Sequence, residues 1–280
     1  MSPSAFFLPR CYNPRVVTVE ILTIGNEILL GLTEDTNSSY LCRVVRGMGG
    51  RVRHIAVVRD EVHAIAGDLK QSLDRGTDLV FTCGGLGPTD DDLTLSGVAM
   101  ATARSLEDSS IALGLVERRY REFAAQGYVS SGEMSEARLK MASLPQGALV
   151  VENPVGVAPA VVLDVDGSSI VSLPGVPAEL KAIVEGPLQG LLTKVFGRGC
   201  YREREISVAS GDESELAPAL RRVAQLHRDV YIKSRASRFG PDVRFRIMIS
   251  ASATSEDEAD RMIENAATDL TRWLGEAGIQ

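Results

Sequence analysis

VVTVEILTI (16–24), TNSSYLCRVVRGMGG (36–50) and RVRHIAVV (51–58) follow one another near the start of the chain. The first is apolar or β-branched at nearly every position, the pattern of a strand covered on both faces, and Gly25 ends it. The second opens with capping residues, spaces Leu41, Val44, Val45 and Met48 on one helical face, and stops at Gly49 and Gly50. The third returns to a strand. DEVHAIAGDLKQSLDRG (60–76) then repeats the helix, with acids at its start, and DLVFTC (78–83) repeats the strand. Strand and helix in strict alternation predict an α/β fold, a doubly wound and mostly parallel sheet with helices on both faces.

Working outward, helical patterns run over 93–104, 110–126 and 132–141. The rhythm then changes to short apolar strands, ALVVEN, APAVVLDV and SSIVSLP within 148–174, separated by NPVG and DG turns. The Asp-Gly pair predicts a hairpin between the last two. Pro177 starts a helix that Gly186 and Pro187 should kink, because proline brings no N–H. Beyond GRGC (197–200) a β-α-β-β-α order predicts a second, smaller α+β unit. The expected organisation is a flexible N-terminus over 1–15, a main domain over 16–196, and the small domain over 200–280.

The 280 residues are 44% hydrophobic and 24% charged, a globular composition that excludes a disordered chain. Thirty basic against 37 acidic side chains, a net charge of -7, argue against a protein built to neutralise nucleic-acid phosphates. The small unit holds 12 basic against 14 acidic residues and lacks a GxxG clamp in the loops between its strands and helices, so packing or dimerisation ranks above RNA binding there. Four scattered cysteines without a CxxC pair indicate neither a zinc ribbon nor a disulfide framework. Three histidines lack the spacing that would place two on one metal. The first residues contain no signal-peptide core and no later stretch suits a membrane span. A cytoplasmic protein is expected.

In an open parallel sheet, ligands bind beyond the carboxyl ends of the strands. The third strand ends there in Gly84-Gly85-Leu86-Gly87-Pro88-Thr89-Asp90-Asp91-Asp92. Glycines let backbone N–H groups approach an anion, and Thr89 and Thr94 can add hydroxyls, so phosphate is the expected ligand. Three carboxylates beside a phosphate repel it unless a divalent cation bridges them. Asp60 and Glu27 are expected at the same edge. Asn153-Pro154-Val155-Gly156 and Leu173-Pro174-Gly175-Val176-Pro177 are rigid turns whose amides could line a ring or a phosphate. The bland alternatives are a plain glycine turn, acids that favour a helix dipole, and an ordinary aspartate cap at position 60. Convergence of three strand ends on Gly and carboxylate favours a site.

LTIGNEILLGLTEDTNSSYL, TCGGLGPTDDDLT, NPVGVAPA and LPGVPAEL, in this order, closely resemble the N-terminal domain of CinA-type competence-damage-inducible proteins, a relative of the MoaB/Mog molybdopterin-binding domain. The likeness covers roughly residues 17–196 and, less sharply, the unit after it. Gly-Asn-Glu in the first motif and the DVYIKS segment resemble stand-alone archaeal-type members, with no room for the amidase domain that follows in many bacterial relatives. The resemblance implies one of two activities. CinA-like and FAD-synthase-associated members hydrolyse a pyrophosphate in nucleotides such as ADP-ribose or FAD, using a divalent metal with potassium. Mog-like members bind molybdopterin and support its adenylylation. Matched by motif, Gly84, Gly85 and Gly87 form the glycine loop, Asp60 and Asp92 are the catalytic-site aspartates, and Glu27 is the first-loop acid. Asp90 and Asp91 stand where Mog-type loops usually carry basic residues, which favours a metal.

The leading expectation is a nucleotide pyrophosphatase in which Asp91 and Asp92 hold Mg²⁺ or a similar ion and Asp60 or Glu27 orients water. Thr89, Thr94, Asn153, Gly156, Pro174 and Gly175 complete the ligand-binding set. The alternatives are a molybdopterin-binding protein without hydrolysis, and a non-catalytic assembly subunit. A homo-oligomer is expected, more readily a dimer, with a nucleotide or pterin-phosphate as small-molecule partner and no membrane.

Overall fold

The computed structural model describes residues 16–197, 199–210, 212–236 and 244–279. The N-terminus expected to be flexible, 1–15, lies outside the described residues, as does Cys11. The chain divides into two units, one over Val17–Arg198 and the other containing Gly199–Gln280.

In the larger unit the alternation predicted from sequence is present: β1 (Thr18–Ile24), α1 (Asn26–Leu29), α2 (Thr36–Gly47), β2 (Arg51–Val58), α3 (Val62–Asp74) and β3 (Leu79–Cys83). Then come α4 (Thr94–Ala101), β4 (Leu106–Asp108), α5 (Ser110–Ala125), α6 (Glu136–Lys140), β5 (Ser143–Pro145) and β6 (Leu149–Val151). β7 (Ala160–Val165), β8 (Ser168–Leu173), α7 (Pro177–Glu185) and α8 (Gln189–Phe196) close the unit. The main sheet has the order β2-β1-β3-β8-β7-β6. β2, β1, β3 and β8 are parallel, while β7 is antiparallel to both of its neighbours. Asp166 and Gly167, both at positive φ, make the two-residue turn between β7 and β8, as the Asp-Gly pair predicts.

Apolar side chains leave β1 and β3 on both faces. Val19, Ile21 and Phe81 pack with Leu41, Leu180 and Leu192 of α2, α7 and α8 on one side. Leu22, Ile24 and Val80 pack with Ile65 and Val98 of α3 and α4 on the other. Two expectations are corrected. The helix from Pro177 is interrupted at Gly186 and Pro187, as expected, but by a full break where a kink was predicted: α7 stops at Glu185 and α8 begins only at Gln189. The helix expected over 132–141 shrinks to Glu136–Lys140.

At the amino end of the sheet the fully buried Glu20 is held by four hydrogen bonds from three side chains. Arg53 Nε reaches it at 3.0 Å, Arg75 at 3.0 and 2.6 Å, and the Thr77 hydroxyl at 2.7 Å. Burial alone would raise its pKa, but the hydrogen bonds from Arg75, Thr77, Ser72 and Arg53 bring it down to about 2.

The smaller unit carries β9 (Cys200–Ala209), α9 (Glu213–Leu226), β10 (Val230–Ala236), β11 (Arg244–Ala253) and α10 (Glu256–Glu276). Its antiparallel sheet has the order β10-β11-β9. Ile247 and Ile249 pack there with Leu216 of α9 and Leu270 of α10.

Candidate functional site

Four parallel strands, β1, β2, β3 and β8, release the chain at one edge of the sheet. β6 ends there as well, and β7, running the other way, starts there. The loops after residues 24, 58, 83, 151 and 173 therefore meet, which is the crevice expected of an open α/β sheet. They surround a cavity of about 660 Å³. Its lining includes Glu27, Asp60, Gly84, Gly85, Gly87, Asp91, Asp92, Gly156, Pro174 and Gly175. Thr89, Asp90, Thr94 and Asn153 are outside that lining.

Glycine is required at the head of the third loop. Gly84 has φ +103, and a Cβ there would lie 2.3 Å from the carbonyl oxygen of Ile24. Gly85 has φ +67, and its Cβ would lie 2.3 Å from Thr94 Oγ1. Thr94, fully buried, donates its hydroxyl to Gly84 O at 2.7 Å, so it shapes the loop from beneath and does not reach a ligand. The Gly84 N–H is also used, donating to Leu173 O at 3.0 Å. By contrast, the N–H groups of Gly85, Leu86 and Gly87 have no acceptor among the described residues. Successive backbone N–H groups in a turn are the kind of group that can hold an anion. Gly84→Ala is expected to cost about 2–3 kcal/mol, because strain and a backbone clash coincide. Gly190→Ala, in open space on α8, should gain about 0.5–1 kcal/mol. Urea unfolding of the two variants checks both signs.

The acids form a connected group. Asp60 does not cap its own helix; its Oδ2 accepts the Asn26 N–H from the loop after the neighbouring strand β1 at 2.7 Å. Burial, and then the charges of Glu27 and Asp91, raise its pKa, with the Asn26 N–H opposing. Thr89 Oγ1 contacts both Asp91 and Asp92, lying 2.6 Å from Asp92 Oδ2, and the Thr89 N–H donates to the same oxygen at 2.8 Å. The Thr89 hydroxyl leads the interactions that lower the Asp91 pKa, and the charge of Lys140 adds to them. Among the described residues no three His, Cys, Asp or Glu side chains converge to hold a metal ion by themselves.

The NPVG turn departs from expectation. Asn153 is buried, and its Oδ1 accepts the N–H groups of Val155 and Gly156 at 3.1 and 2.7 Å. Those amides are closed to a ligand, and Asn153 is the residue that folds the turn. Lining residues that the sequence did not single out include Glu34, Asp35, Asn37, Tyr120, Phe123 and Glu179. Asp35 caps α2 through Ser38 N at 2.9 Å, and Asn37 Nδ2 holds Gly175 O at 2.7 Å. The TEDTN run carries the capping signal for the first, but no local pattern announces the second. Cys83 is buried, and burial pushes its thiol pKa up, away from the reactive thiolate.

The profile of the family described as "Probable molybdopterin binding domain" matches residues 20–194. A protein of Aeropyrum pernix is 40% identical over 261 residues, covering 92% of this chain and 94% of that one. A protein of Pyrobaculum aerophilum is 36% identical over 255 residues, covering 91% and 93%. The crystal structure of the protein CinA with unknown function from Thermoplasma acidophilum aligns with a TM-score of 0.57 at 33% identity, covering 62% of this chain and 98% of that chain. The chain belongs to the molybdopterin-binding-domain family, as a CinA-like member. Among the described residues no helix is long and apolar enough to cross a membrane.

Proposed function

We propose that the cavity binds the phosphates of a nucleotide- or pterin-type compound and hydrolyses a phosphoanhydride with a divalent cation, ADP-ribose and FAD being the nucleotides to test first. One observation carries this reading: Gly85, Leu86 and Gly87, whose N–H groups have no acceptor among the described residues, line a cavity whose described lining contains seven carboxylates and no Lys, Arg or His. Seven acids outweigh the charges of Lys140 and Arg119 that act on this lining, so a cation from solution favours an anion held there.

Asp91 and Asp92 fit that role. The Thr89 hydroxyl has one proton and touches two carboxylates, which leaves a cluster of hard oxygens with excess negative charge. Two carboxylates suit Mg²⁺, which keeps several waters and takes substrate oxygens as further ligands. A divalent ion held by Asp91 and Asp92 would supply neutralisation of the phosphoryl oxygens and would acidify water. The amides of Gly85–Gly87 hold one phosphate in place. Water attacks one phosphorus of the P–O–P bridge, the bridging oxygen leaves with the other phosphate, and the water proton passes to Asp60 or Glu27.

A molybdopterin-binding role without hydrolysis is favoured by the family match and by the apolar wall of Tyr120, Phe123, Met141 and Val155, which suits a planar ring. The test is titration of the purified chain with ADP-ribose, FAD and molybdopterin, each with and without Mg²⁺ and K⁺. Turnover that needs the divalent ion is the expected result. Tight molybdopterin binding without turnover would replace the hydrolase by a pterin-binding protein, and neither would leave an assembly subunit.

A further inference from the structure

One base reaches the acidic turn of the glycine loop from outside the cavity lining. Lys140 is half-buried at the last position of α6, a short helix capped by Ser135. The next residue, Met141, is buried and packs in one cluster with Leu86 of the glycine loop, which anchors the end of α6 beside that loop. The other base in the last turn of α6, Arg138, is used elsewhere. Its guanidinium lies 3.8 Å from the centre of the Tyr120 ring and donates to Ser131 O at 2.7 Å and to Glu133 O at 2.6 Å. Lys140 Nζ instead donates to the carbonyl oxygen of Thr89.

That contact is not what folds the turn. Thr89 O already accepts the Asp92 N–H at 3.1 Å, Asp92 Oδ2 accepts the Thr89 N–H at 2.8 Å, and the Thr89 hydroxyl touches both Asp91 and Asp92. The turn closes on itself by these bonds, so the ammonium adds charge more than shape. Among the described residues Lys140 makes no ion pair with Asp90, Asp91 or Asp92, and its charge reaches Asp91 through space. A positive charge at this place has opposite effects on the two ions of the hydrolase reading. It repels a divalent cation at Asp91 and Asp92, and it attracts the phosphate that arrives with one.

Resting on that reading, we infer that Lys140 is a built-in counter-cation that keeps the Asp91–Asp92 pair from holding a divalent ion tightly in the absence of phosphate. Binding of Mn²⁺ alone to the full chain, followed through the electron paramagnetic resonance of the free ion, tests it. Lys140→Met, which keeps the stem and drops the charge, is expected to bind Mn²⁺ about three- to tenfold more tightly than the parent. Lys140→Arg, which keeps the charge, should stay within about twofold of the parent. A role confined to bracing the turn predicts the opposite sign, because a looser turn binds the ion more weakly. Affinity in Lys140→Met equal to or weaker than the parent's, or equal tightening by Lys140→Arg, overturns the counter-cation while the metal site stands. Mn²⁺ that binds neither the parent nor Lys140→Met, or that binds Asp92→Asn as well as the parent, removes the metal site and this inference together. Lys140→Gln gives the same readings if Lys140→Met does not fold.

Discussion

Replacing Asp92 by Asn is expected to lower hydrolysis by about 10³-fold or more without unfolding the protein. The asparagine keeps an oxygen for the Thr89 N–H, the contact now made to Asp92 Oδ2 at 2.8 Å. It also keeps the volume beside Gly87, where a Cβ would come within 2.6 Å of that oxygen. What it loses is the charge that makes the Asp91–Asp92 pair attractive to a cation. Rates across a Mg²⁺ series, with circular dichroism and the Tm as controls, separate the two effects. Hydrolysis that proceeds at the parent rate with full metal dependence would take Asp92 out of the mechanism.

The largest loss of stability is expected at the other end of the sheet, from Glu20→Ala. Removing one partner of a buried ion pair typically costs about 3–5 kcal/mol. Arg53 and Arg75 keep partial access to solvent, with side chains 32% and 41% exposed, which places the expected loss toward the lower end. Chemical denaturation measures it directly. The same carboxylate sets an acid limit. Its folded pKa, about 2, is below its ordinary value of 4.5, so its contribution is complete above pH 4.5 and is lost as the pH falls toward 2. That contribution is on the order of 3 kcal/mol. Between those pH values the parent should lose stability more steeply than Glu20→Ala, and parallel curves would show that Glu20 is not the titrating group.

Long elements were legible in the sequence because each repeats its period several times. RVRHIAVV is a strand over the same eight residues, 51–58, and the small unit has the predicted β-α-β-β-α order. The three-residue strands β4 and β5 and the four-residue α1 escaped notice, since so few residues carry no period. The meeting of Glu27, Asp60, Asp91 and Asp92 at one cavity was legible from topology, because parallel strands share an exit edge. The division of labour inside the loops was not. Gly84 and Gly156 look like the other glycines in sequence, yet their amides are engaged by Leu173 O and Asn153 Oδ1. Glu179 reads as an ordinary acid in the first turn of a helix, and only its fold-dependent contact with Asn153, 26 residues away, sets it apart.

The Asp166–Gly167 turn lies at the edge of the sheet away from the crevice, because β8 must cross the whole sheet before Leu173 delivers the chain to the cavity. Both turn residues are exposed. New chain ends, a reporter domain or a surface tether introduced between them would leave every ligand-facing loop in its original connection. The protein thus offers a handle for immobilisation with its cavity still open to solution.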